Sequence, residues 1–138
     1  MGSGPPELST RDSFPEDRIY GLIGSDGIAR VVAGFYRRVP GDDILGPMYP
    51  AHDLAGAEKR LRDFLIFRLG GPADYLEKRG HPRLRMRHAP YAIDSAARRR
   101  WIALMDAAID EAQLPDEAAR MLRDFLGPMA SFLQNRPD

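Results

Sequence analysis

Side chains suited to chemistry crowd into one stretch of this chain, His81-Pro82-Arg83-Leu84-Arg85-Met86-Arg87-His88-Ala89-Pro90-Tyr91. The prolines at 82 and 90 limit any helix between them to about two turns. If that piece is helical, Leu84 and His88 share a face at i, i+4, so an imidazole points the same way as an aliphatic wall. A neutral imidazole is a common axial ligand of haem iron, and a backbone carbonyl on its second nitrogen orients the ring. The arginines beside it offer guanidinium groups shaped for the propionate carboxylates at the haem edge. The alternation of Arg83, Arg85 and Arg87 with Leu84, Met86 and His88 also describes a half-exposed strand or a basic loop, and the pattern alone leaves both readings open.

Dioxygen held at such an iron takes on negative charge and gains from hydrogen-bond donors in a dry pocket. Tyr36, next to Phe35, together with Tyr49 and Trp101, offers polar tips on apolar bodies. Buried Tyr and Trp also serve simply as core fillers that bond a carbonyl. His52 and His81 read as exposed or capping residues, and no H-x-x-x-H or H-E-x-x-H pair exists. The absence of cysteine removes disulfides, thiolate metal sites, cysteine nucleophiles and the C-x-x-C-H attachment of covalent haem.

The elements that must position these groups are helices. A chain of 138 residues that is 43% hydrophobic has the length and apolar content for one domain with a single core. Basic and acidic residues balance at 20 each, which argues against a nucleic-acid or anionic-membrane partner. No apolar run is long enough to span a bilayer, and the N-terminus lacks a secretion-signal core, so a cytoplasmic protein is expected. Pro6 stands where a myristoylation site needs Ser or Thr. Residues 1–15 are expected to form a flexible tail and residues 16–136 the folded domain.

The apolar period predicts a short helix over residues 17–23, a turn at Gly24-Ser25-Asp26-Gly27, and a second helix with Ile28, Val32, Phe35, Tyr36 and Val39 on one face. Pro40-Gly41 stops it. Residues 42–53, with Pro47 and Pro50, support a turn or two of helix at most. The next helix turns Leu54, Ala57, Leu61, Phe64, Leu65 and Leu69 inward and closes at Gly70-Gly71-Pro72. A fourth starts at the capping candidates Asp94 and Ser95, presents Trp101, Leu104, Met105, Ala108 and Ala112, and ends near Leu114. The last begins at Pro115 and lines up Ala118, Met121, Leu122, Phe125, Met129, Phe132 and Leu133. Two helix pairs packed across each other are expected, with function on the loop-rich side over residues 70–93.

In chain order, Phe35-Tyr36, Tyr49-Pro50, Asp53-Leu54-Ala55-Gly56-Ala57-Glu58, Gly70-Gly71-Pro72, residues 80–91 and Trp101 resemble the group II truncated haemoglobins, the bacterial O type. The resemblance covers residues 19–135. The first fifteen residues lie outside it, and the turn over residues 24–27 departs from the adjacent glycines common in the family. It implies an all-α truncated globin, a two-over-two helical sandwich around haem b whose proximal helix is mostly extended loop. By the same resemblance His88 is the proximal iron ligand, Tyr36, Tyr49 and Trp101 are the distal donors, and Ala57 and Leu61 occupy ligand-facing positions. Arg60, Tyr75, Arg87 and His81 are implied as propionate partners, and Leu54, Phe64, Leu84, Tyr91 and Ile93 as apolar haem contacts.

The function implied is binding of dioxygen, and of carbon monoxide and nitric oxide, at ferrous iron with slow release, in a monomer or homodimer. The alternative is a nitric oxide dioxygenase or peroxidase served by an external reductase, since no flavin or nicotinamide fingerprint is present. A haem-free helical interaction module is the remaining reading, for which patterned helices alone suffice.

Overall fold

Apolar residues at 28, 31, 32, 35 and 36 repeat with the helical period and form the buried stripe of α1 (Ile19–Arg38). The computed structural model of the chain describes residues 15–49, 51–72 and 93–133, and every regular element among them is helical. A 3₁₀ turn, Pro15–Arg18, leads into α1. The expected short helix, turn and second helix are joined as one element with a kink at Gly24, where φ is 67° and ψ is −178°. Glycine takes that backbone without a Cβ penalty, so the axis bends there instead of ending.

Residues 42–53 supply two single turns of 3₁₀ helix, Gly46–Met48 and Ala51–Asp53, as the two prolines require. α2 (Leu54–Arg68) follows directly. Its C-terminal end folds back on the start of α1. Leu69 N–H donates to the Leu65 carbonyl at 2.8 Å, Gly71 N–H to that of Ile66 at 2.8 Å, and Tyr20 N–H to that of Leu69 at 2.9 Å. Gly70 makes this turn possible with φ at 105°, and a Cβ there would run into the Asp17 carbonyl oxygen. Gly70→Ala is therefore expected to cost about 1–3 kcal/mol from the backbone conformation alone, before the collision is counted. A denaturant midpoint equal to wild type would show that the α2–α1 turn is not held as described.

α3 (Ser95–Ala112) starts as the sequence predicts: the Asp94 carboxylate accepts the Ala97 N–H at 2.9 Å. It ends at Gln113, whose left-handed backbone (φ 57°) closes the last turn. α4 (Asp116–Leu133) begins one residue later than expected. Pro115 sits just outside, its carbonyl accepting the Ala119 N–H at 2.9 Å, while Asp116 and Glu117 face the positive helix end. Pro128 lies within α4 and removes one internal N–H donor.

The α1–α2 pair packs on the α3–α4 pair, mainly through α1 against α3. Phe35, Leu65, Met105, Ile109 and Leu122 fill the centre, each almost wholly shielded from solvent. Polar groups rim this core. Arg37 and Arg38 of α1 pair with Glu111 of α3, Arg123 of α4 pairs with Asp106 (3.2 Å) and Asp110 (2.6 Å) of α3, and the Arg68 guanidinium of α2 lies 5.0 Å from the ring centre of Phe125 on α4. These half-exposed ion pairs contribute little each; the apolar centre carries the stability. Among the described residues no helix is long and apolar enough to cross a membrane.

Candidate functional site

Three polar-tipped aromatics from three separate stretches of chain converge on one ring. Phe35, on the inner face of α1, is 0% exposed. Its ring centre lies 5.1 Å from Tyr36 at 87°, 6.2 Å from Tyr49 at 73° and 5.6 Å from Trp101 at 58°. Tyr36 and Tyr49 also meet edge to face, 5.6 Å apart at 87°. Such tilted and T-shaped contacts suit the aromatic quadrupole, so the cluster holds its geometry without face-to-face stacking. The structure thus brings Tyr36 and Tyr49 together directly and joins Trp101 to them through Phe35.

Tyr36 is 8% exposed. Burial pushes its phenol far above the ordinary tyrosine range; Tyr49 and Glu58 reinforce the shift by charge and by the Tyr36–Tyr49 hydrogen bond, and Arg60 opposes it. The hydroxyl therefore keeps its proton at all physiological pH and remains a donor.

α2 runs beside the cluster, with Glu58 and Arg60 near enough to act on the Tyr36 phenol. Ala57 and Phe64 are buried, Leu54 and Leu61 are half-buried, and with the buried Ile93 they belong to the same apolar body as Tyr36, Tyr49 and Trp101. Arg60, expected from the resemblance to meet a propionate, lies 3.4 Å from the Asp53 carboxylate, both side chains being half-exposed. Solvent screening keeps that pair weak, so it leaves Arg60 available to a stronger anion. His88, His81, Tyr75, Leu84, Arg87 and Tyr91 lie outside the described residues.

Two phenols and an indole set on apolar rings fit the side of a haem pocket that faces a bound gas, where donors are wanted and a second ligand is not. No group of three metal-ligating side chains occurs among the described residues. His52, the one histidine among them, is exposed on the turn Ala51–Asp53.

Two contributors were not among the expected site residues. Phe35 reads in sequence as one more core position, and only its contacts make it the hub. Asp42, whose side chain is 7% exposed, binds Arg100 beside Trp101. Its one sequence signal is an aspartate after Pro40-Gly41 and two residues before an apolar pair, the setting of an Asx turn.

Four helices in two packed pairs, with buried Tyr36 and half-buried Tyr49 and Trp101 gathered on Phe35, define a globin of shortened form. The family model of the bacterial-like globins matches residues 18–135. A group 2 truncated haemoglobin of Bacillus subtilis is 36% identical over 107 residues, 78% of this chain and 77% of that protein. Among solved structures, a thermostable haemoglobin from Thermobifida fusca is similar at a TM-score of 0.82 and 44% identity, covering 87% of this chain and 98% of that one. The group II truncated haemoglobin of Bacillus anthracis gives 0.82 at 30% identity, with 87% and 92% covered. A truncated haemoglobin of Bacillus subtilis described as oxygen-avid gives 0.80 at 34%, with 85% and 98% covered. The chain belongs to the group II truncated haemoglobins. Membership implies a haem cofactor and diatomic gases as ligands.

Proposed function

We propose that residues 16–136 hold haem b non-covalently with His88 as the iron ligand, and that the protein binds dioxygen, carbon monoxide or nitric oxide reversibly and releases dioxygen slowly. The observation that supports this most is the buried Tyr36 hydroxyl, hydrogen-bonded to Tyr49 and kept protonated among apolar rings. The oxygen avidity described for the Bacillus subtilis relative points the same way. Haem, when bound, supplies a ferrous iron that takes one diatomic ligand. Tyr36 and Tyr49 supply phenolic donors and Trp101 the indole N–H, while Phe35, Ala57 and Leu61 exclude water around them and so strengthen each bond. Arg60, Tyr75, Arg87 and His81 serve the propionates, and Leu54, Phe64, Leu84, Tyr91 and Ile93 the apolar porphyrin faces.

The test is the absorption spectrum of purified protein in ferric, ferrous and carbon monoxide forms. A strong Soret band that is lost or greatly weakened in His88→Ala, and recovered on adding free imidazole, is the expected result. An unchanged spectrum in His88→Ala, or a folded protein that stays colourless with haem supplied, overturns the assignment.

A further inference from the structure

Asp42 stands where the three donor-bearing stretches meet. Its N–H donates to the Val39 carbonyl at 3.0 Å, just past the end of α1 and three residues beyond Tyr36. Its carbonyl accepts the Gly46 N–H at 2.9 Å, and the Gly46 carbonyl accepts the Tyr49 N–H at 3.3 Å, so Tyr49 hangs two backbone bonds from Asp42. One carboxylate oxygen, Oδ2, accepts the N–H groups of Leu45 at 2.8 Å and Ile44 at 3.0 Å. The other, Oδ1, accepts from Nη1 of Arg100, the residue immediately before Trp101. Arg100 is a half-exposed side chain whose second partner, Asp43 at 3.0 Å, is 85% exposed.

We propose that Asp42 is a positioning residue: its shielded carboxylate ties the start of α3 to the segment after α1 and so sets Trp101 and Tyr49 relative to Tyr36. The inference rests on the donor reading of those three residues given above. A shielded carboxylate is kept only where its lone pairs are filled, and here three donors from two separate parts of the chain fill them. Burial works to raise the Asp42 carboxyl, but the Leu45 N–H, Arg100 and the Ile44 N–H outweigh it and hold the group below the usual carboxylate range. The carboxylate is thus charged, and Arg100 is bound, throughout the neutral range. Asp43 meets the same guanidinium at 3.0 Å from solvent, where water competes for both partners, and holds it less firmly.

The test uses haem-loaded protein and compares Asp42→Asn, Arg100→Met, Asp43→Asn, Trp101→Phe, Tyr36→Phe and the Asp42→Asn/Trp101→Phe pair. Trp101 is the sole tryptophan of the chain, so its ultraviolet resonance Raman bands report its surroundings directly. Asp42→Asn is expected to shift those bands, to broaden or split the C–O stretch of the carbon monoxide form, and to speed dioxygen release roughly three- to tenfold, the scale of coupling between neighbouring residues. Arg100→Met, which leaves Asp42 in place, is expected to shift the same bands, and Asp43→Asn is expected to match wild type. In the double variant, release should be slower than the product of the two single effects, because Asp42 acts in part through Trp101. Wild-type bands and release in both Asp42→Asn and Arg100→Met, with Trp101→Phe still fast, overturn the inference alone. Wild-type release in both Trp101→Phe and Tyr36→Phe removes the donor reading, and the positioning role falls with it.

Discussion

Tyr36→Phe is expected to speed dioxygen release by roughly one to two decades while leaving carbon monoxide binding much less affected. The phenylalanine keeps the ring that packs 5.1 Å from Phe35 and 5.6 Å from Tyr49, so the substitution removes the hydroxyl, with its hydrogen bond to Tyr49, and leaves the ring packing in place. A donor bond to a charged acceptor in a dry site contributes about 1.5–3 kcal/mol, and each 1.4 kcal/mol is about a decade in rate if the loss falls on release. Dioxygen attracts charge from iron far more than carbon monoxide does, which separates loss of a donor from a general opening of the pocket. Stopped-flow displacement of dioxygen by carbon monoxide measures the rate. Equal release in wild type and variant would show that Tyr36 is a core phenol and not a donor to the gas.

The same substitution has a second readout in pH. Burial raises the Tyr36 phenol above its ordinary value of 10.0 in the folded chain, whereas the unfolded chain ionises near that value. Below about pH 10 both states hold the proton, and the group adds no pH dependence. As pH climbs past 10 the unfolded state loses the proton first, so stability falls by about 1.4 kcal/mol per pH unit from this group until the folded phenol ionises too. Tyr36→Phe should remove that share of the alkaline slope. Identical slopes in the two proteins would mean that the hydroxyl is not shielded in solution.

The helices were legible from sequence because they rest on a repeating apolar spacing, as the stripe through Ile28, Val32 and Phe35 and the Asp94 cap both demonstrate. What escaped depends on contacts between distant parts of the chain. Whether Gly24 ends a helix or bends one is decided by the packing on either side of it. Pro128 inside α4 runs against local propensity and is tolerated because that helix is held by its buried face. In the candidate site, residue types nominated Tyr36, Tyr49 and Trp101, yet no spacing along the chain states that all three lean on Phe35. Asp42 carries less sequence signal again, because its partner Arg100 lies 58 residues away. A carboxylate beside Pro-Gly in sequence is an ordinary turn residue until its partner is known.

Phe35→Ala should produce the largest loss of stability at any single site position, about 3–5 kcal/mol. The side chain is 0% exposed and touches the rings of Tyr36, Tyr49 and Trp101, so truncation removes apolar burial and leaves a cavity bounded by three aromatics. Against a typical total of about 5–15 kcal/mol this loss is a large share, and bound haem recovers part of it by mass action. Denaturant unfolding of wild type and variant, each with and without haem, therefore separates the two effects. Phe35→Leu provides the contrast: it restores most of the volume but no ring, and should recover much of the stability while leaving dioxygen release faster than wild type. The physical reason is that aliphatic packing fills space without fixing the angle at which an indole or a phenol leans. If Phe35→Leu restores the wild-type release rate as well as the stability, Phe35 is a spacer, and the angles within the aromatic cluster do not govern how firmly the gas is held.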